Sequence, residues 1–229
     1  DYVSWTFRKA KKFFDVVTYT GDASDQVVSH SLGSTPGMII IKATSASGDW
    51  TVYHRGLSNN GSNYSIKLNS TAAETNTGGL VATSSTFTLY DTANVNTNGR
   101  TYVAYLFAHN NSDGGFGPDG DADIIKCGSY SGQATVDLGF EPQWLMVKNA
   151  GSSTASWRIF DNMRGWGMGD ADLTLSPNRS DAELGSQNWA DITPTGFKIT
   201  NSNGNVGGSS MIYMAIRRGS LNVPDDATK

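Results

Sequence analysis

The 229-residue sequence repeats itself internally, and no other feature narrows its possible folds as far. Tyr19-Thr-Gly21 returns as Tyr130-Ser-Gly132, 111 residues later. The stretch from Leu32-Gly through Pro36 to Lys42 matches Leu138-Gly through Pro142 to Lys148 at a shift of 106. In the same order, Trp50 to Tyr53 aligns with Trp157 to Phe160, Arg55-Gly56 with Arg164-Gly165, and Leu68 to Glu74 with Leu175 to Glu183. Phe87 then pairs with Phe197, and Tyr102 to Phe107 with Tyr213 to Arg218. This collinear series implies a tandem duplication, with units over 8–109 and 110–219 and a polar tail over 220–229. Tyr2-Val-Ser-Trp-Thr-Phe7 resembles Tyr102 to Phe107, so residues 1–7 are expected to form the closing strand of a preceding or of the first repeat. A chain that opens on Asp1 and on the end of a unit is expected to be a fragment or a processed product.

Within each unit, short runs of β-branched and aromatic residues recur every 8 to 12 residues between Gly, Asn, Ser and Asp, the pattern of antiparallel sandwiches. Charged residues are only 17% of the chain, below the usual ~25%, and no window carries an uninterrupted helical stripe. The expected fold is therefore all-β: two tandem antiparallel β-sandwiches of lectin-like or jelly-roll-like form. Aromatics at 10% supply the bulk for real cores. A net charge of −4 with no basic run beyond Lys9 to Lys12 argues against nucleic acid as a partner. No apolar run approaches the ~20 residues of a membrane span, so no membrane insertion is expected. The single cysteine, Cys127, lies in a strand-like segment and reads as a small buried hydrophobe.

The order Leu138-Gly-Phe-x-Pro-x-Trp-Leu-x-Val-Lys-Asn149, Trp157-x-x-Phe-Asp-x-x-Arg-Gly165, Leu175 to Glu183, Gly196-Phe197 and a closing Tyr-Val-Ala-Tyr strand resembles a tandem domain of marine bacteriophage structural proteins. Those proteins are mostly tail fibres or other virion appendages, and the domain often sits beside concanavalin-like lectin sandwiches. The resemblance implies a β-sandwich fold, a place in the virion and no catalytic residues. Its implied partners are other virion proteins or copies of the chain itself, together with host-surface polysaccharide. Appendages of this kind are commonly trimeric, and neither heptads nor a collagen repeat specifies that state here. The first unit departs from the motif, with Gly37-Met38 in place of the Gln-Trp step and a shorter Tyr53-His54-Arg55 segment.

The charged residues retained in both units, Arg55 with Glu74 and Arg164 with Glu183, read as structural pairs tying an Arg-Gly turn to an Ala-Glu segment. The three histidines, His30, His54 and His109, lie in no nucleophile motif and do not cluster as zinc ligands. No cofactor is expected, with one candidate metal site. Asp119, Asp121 and Asp123 alternate as hard oxygen donors suited to calcium, although Ile124 and Tyr130 break the EF-hand pattern. A solvated acidic turn is the alternative. For glycans, which need exposed rings flanked by amides and carboxylates, the candidates are Trp166 in a glycine-rich loop, Trp189 in Ser186-Gln-Asn-Trp-Ala-Asp191, and Tyr64. Trp50, Trp144 and Trp157 are assigned to core. The expected function is non-enzymatic and structural in a phage appendage. The alternatives are a carbohydrate-binding module of a secreted enzyme, and a depolymerase using Asp161, Asp170 and Glu183.

Overall fold

The structure is a computed structural model and describes residues 3–76, 80–90, 94–169, 171–185 and 187–219. The tail over 220–229 and Asp170 lie outside the described residues. Among the described residues the fold is all-β, with a 3-10 turn at 162–164 and a short turn at 58–61 in which Asn59 and Asn60 both take a left-handed φ of 53°. Nine strands come from the first half of the chain: β1 (Phe14–Thr20), β2 (Gln26–Ser29), β3 (Met38–Ala43), β4 (Thr51–His54), β5 (Tyr64–Lys67), β6 (Thr75–Asn76), β7 (Leu80–Ala82), β8 (Thr86–Leu89) and β9 (Thr101–Phe107). Seven come from the second: β10 (Ile125–Tyr130), β11 (Thr135–Asp137), β12 (Pro142–Asn149), β13 (Arg158–Asp161), β14 (Ala190–Thr193), β15 (Gly196–Ile199) and β16 (Met211–Arg217).

These strands form four sheets, ordered β1-β9-β3-β4-β5-β6, β2-β8-β7, β10-β16-β12-β13 and β11-β15-β14. All the strand pairings between them are antiparallel. The first four strands of the larger sheet and the four of its counterpart follow the same order, and so do the two small sheets. Register agrees between the halves as well: Met38 stands opposite His54 and Phe107, and Trp144 opposite Asp161 and Ile216, which aligns Tyr102 with Met211 and moves the sequence match of Tyr102 to Phe107 with Tyr213 to Arg218 by two residues.

The period of two along each strand decides how the layers meet, because neighbouring side chains leave a sheet on opposite faces. In β12 and β16, Leu145, Val147, Tyr213 and Ala215 enter one buried cluster with Phe197 and Ile199 of the small sheet. Their neighbours Trp144, Met146, Ile212 and Met214 enter a second cluster, which also holds Ile39, Ile41, Leu106 and Phe87 of the first half. A sheet buried on both faces explains why β12 reads as a continuous apolar run rather than an alternating one. Each fully buried aliphatic or aromatic side chain of this kind contributes about 1.5–3 kcal/mol. The two halves thus share the larger of the two clusters, while the other belongs to the second half alone.

Hydrogen bonds cross the same junction. The Trp157 indole Nε1–H donates to the Lys67 carbonyl at 2.9 Å, the Lys148 ammonium to the Thr71 carbonyl at 3.2 Å, and the Glu74 amide to the Ala150 carbonyl at 2.8 Å. Residues 3–9 do not form the expected strand. They run between the halves as an aromatic strap instead: Trp5 meets Trp144 edge-on at 6.2 Å between ring centres, and Phe7 meets Phe14 and Phe107 at 5.5 Å each. The apolar matches to Tyr102 to Phe107 serve packing here, while β1 and β3 already occupy both edges of β9.

Candidate functional site

The residues singled out in the sequence are distributed across the molecule, and most are engaged in its architecture. Arg164 forms an ion pair with Glu183, a second with Asp161 at 2.6 Å, and stacks its guanidinium 5.7 Å from the Trp5 ring centre. The Asp161 carboxylate also accepts from the Arg164 backbone N–H at 3.0 Å, which caps the short turn that ends at Gly165. Gly165 has a φ of 100°, a conformation that favours glycine, so the Arg-Gly pair is a turn requirement. In the first half the expected Arg55–Glu74 pair is not formed. Glu74 accepts instead from the Ser58 amide at 2.8 Å and the Ser58 hydroxyl at 2.6 Å, and Arg55 is exposed. The shorter Tyr53-His54-Arg55 segment makes a tighter turn, closed by the His54 ring on the Gly56 amide, and lacks the 3-10 turn capped by Asp161 that aims Arg164 at its partner.

In the acidic loop one carboxylate is engaged by backbone. Asp123 accepts from the amides of Ser112, Asp113 and Gly114, between 2.8 and 3.2 Å, while Asp119 and Asp121 are exposed. Among the described residues no three His, Cys, Asp or Glu side chains gather as a metal site. The expected aromatic platform is corrected too. Trp166 is 2% exposed and donates to the Ala190 carbonyl at 2.7 Å; Trp189 is 6% exposed and lies under the Arg158 guanidinium at 5.2 Å. Tyr64 is half-buried against the shared core. A large ring in a β-rich chain of this size gains more by closing a loop onto the sandwich than by standing in solvent.

Two buried polar residues at the junction escaped the sequence reading. His54 is fully buried: its Nδ1 accepts from the Gly56 amide at 3.0 Å, so its Nε2–H donates to the Tyr213 carbonyl at 2.9 Å. Burial, with Arg55 and His109 nearby, pushes its pKa down to about 4. By strand register His54 corresponds to Asp161, and each closes the turn that follows it. Lys148, fully buried, donates to the carbonyls of Thr71, Asn149 and Ser152, and burial lowers its pKa to about 8. Lys42 donates to Ala43 and Ala46 at the matching offsets, so the repeated lysine was the sequence signal.

The most site-like surface lies along the loops that leave β13 and enter β12. A cleft of about 580 Å³ is lined by Gln143, Asn162, Met163, Met168 and Ile192, with Glu141 and Arg218 paired at 2.7 Å beside it. A notch of about 200 Å³ shares Gln143, Asn162 and Met163 with it and reaches Trp5, Trp144 and Asp161. Met163 and Met168, 91% and 73% exposed, are the two most exposed large apolar side chains among the described residues.

No curated protein matches the sequence. A solved structure described as "Crystal Structure of the STIV MCP" is similar at 10% identity over 90% of this chain and 95% of that one, with a TM-score of 0.23, too slight a likeness to bear on fold or role. A family model described as a domain of unknown function (DUF7483) matches residues 4–218, nearly the whole chain, which therefore belongs to that family.

Proposed function

We propose that this chain is a non-enzymatic structural component of a bacteriophage particle, part of a tail fibre or comparable appendage, whose exposed loops recognise host-surface glycan. The observation that carries the reading is that the residues with chemical potential are engaged in architecture. Arg164 holds Asp161 and Glu183, Asp123 holds three backbone amides, and His54 and Lys148 fasten the two halves together. A rigid body with a shared core suits a load-bearing part, and it leaves recognition to loops on a fixed scaffold. Weak contacts repeated over several copies on one particle would supply the avidity, so no deep pocket is required. Other virion proteins or copies of the chain, as in a trimer, are the partners this reading names. Calcium has no part in it.

Mass spectrometry of purified particles that carry this gene tests the reading, with immunogold labelling to place the chain on an appendage. Its absence from washed particles would overturn the virion role. A monomeric chain found only in culture supernatant, fused to a hydrolase, would favour a carbohydrate-binding module of a secreted enzyme.

A further inference from the structure

The cleft and the notch form one groove, because Gln143, Asn162 and Met163 line both. We propose that this groove is a saccharide-binding site and that it takes an uncharged polysaccharide chain laid along the surface. The inference rests on the glycan-recognition reading and gives it a place.

Four features of the groove converge on that ligand class. Its amides are available: Asn162 makes no side-chain hydrogen bond among the described residues, and Gln143 only accepts from the Gly219 amide at 3.4 Å. An amide offers both donor and acceptor to a sugar hydroxyl. Next, the Trp144 ring is 6% exposed and lines the notch, yet its indole N–H has no partner. The ring borders the notch, so its indole signal reports on what enters there. Third, the walls are apolar, with the two exposed methionines and the half-exposed ring of Trp5, which Arg164, Asp161 and Trp144 hold in place. A pyranose presents C–H faces between its hydroxyls and matches such an alternation of apolar wall and amide. Finally, the charges are cancelled in place: Asp161 by Arg164 at 2.6 Å and Glu141 by Arg218 at 2.7 Å. The cations that line the cleft and the notch, Arg218 and Arg164, are thus both already paired, which favours a neutral chain over an acidic one.

The test titrates the full chain with a panel of neutral polysaccharides (dextran, yeast mannan, galactan) and with alginate as the anionic counter-probe. The readout is the set of tryptophan indole signals in ¹⁵N–¹H spectra, with Trp144 assigned by Trp144→Phe. At least one neutral polysaccharide is expected to move the Trp144 signal, and the double variant Gln143→Ala/Asn162→Ala is expected to bind it about tenfold more weakly. A Trp144 signal that stays still with every neutral probe, equal binding by the double variant, or a response to alginate overturns the proposal. Concentration-dependent shifts without sugar, abolished by Met163→Lys, would assign the groove to self-association and overturn it as well. If particles contain the chain but Trp144 does not respond, only this inference falls. If the groove binds but particles lack the chain, the virion reading falls and the inference stands.

Discussion

Replacing His54 by glutamine should flatten the dependence of stability on acid. In the folded chain the ring is neutral, because the Gly56 amide occupies Nδ1 and the Tyr213 carbonyl occupies Nε2–H. A second proton would set an N–H against the Gly56 N–H, inside a site from which water is excluded and beside Arg55 and His109. The folded pKa is therefore about 4, against about 6.5 when the chain unfolds. Between those values unfolding takes up a proton at His54, so acid favours the unfolded chain. The contribution is intact above pH 6.5, erodes as pH falls and is lost completely only below pH 4. Worked through the two pKa values, about 2 kcal/mol is gone at pH 5 and about 3 kcal/mol at the lower limit. His109, also pushed down to about 4, acts in the same direction with smaller weight because it keeps solvent contact. Urea unfolding at pH 7.5 and pH 5.0, on wild type and His54→Gln, isolates the His54 share as the difference between the two pH slopes. Glutamine packs differently from imidazole, but that cost is common to both pH values and cancels. Equal slopes, or an imidazole titration of His54 near 6.5 by NMR, would refute the reasoning.

Trp157→Phe keeps a ring in the shared core but removes the indole bond to Lys67 and leaves that carbonyl unpaired; chemical denaturation should show a loss of about 1–3 kcal/mol. Arg164→Ala strands the buried Asp161 carboxylate and should cost about 3 kcal/mol, whereas Glu183→Ala, at the exposed end of the same network, should cost under about 1 kcal/mol; similar values for the two would refute the hierarchy. Burial pushes the Cys127 thiol well above its ordinary pKa, so a thiol-specific reagent should label it only in denaturant; rapid labelling of the native chain would contradict the packing at the junction.

Much of this architecture was legible because it is written locally. Runs such as Met38-Ile-Ile-Ile41 and Trp144-Leu-Met-Val147 between turn residues read as strands covered on both faces, and the Arg55-Gly56 and Arg164-Gly165 dipeptides mark turns. The repeated lysines, Lys42 and Lys148, do the same work at the same offsets in both halves. Ring exposure was not legible. Trp166 and Trp189 stand in polar, glycine-rich contexts that look identical whether the ring folds inward or outward, and only the neighbouring sheet supplies the carbonyl and guanidinium that hold them. The Arg55 position shows the same limit, since its pairing depended on a capped turn that the shorter loop lacks.

The sequence by itself determined the all-β class, where several strands run and where the Arg-Gly turns fall, because alternation, β-branching and glycine act over a few residues. Only the tertiary structure decided that the halves share a core, that His54 and Trp157 fasten it, and that a groove opens beside Trp144. Those outcomes depend on which faces meet across more than 100 residues of chain, and the side-chain period of two is blind to what lies opposite each face.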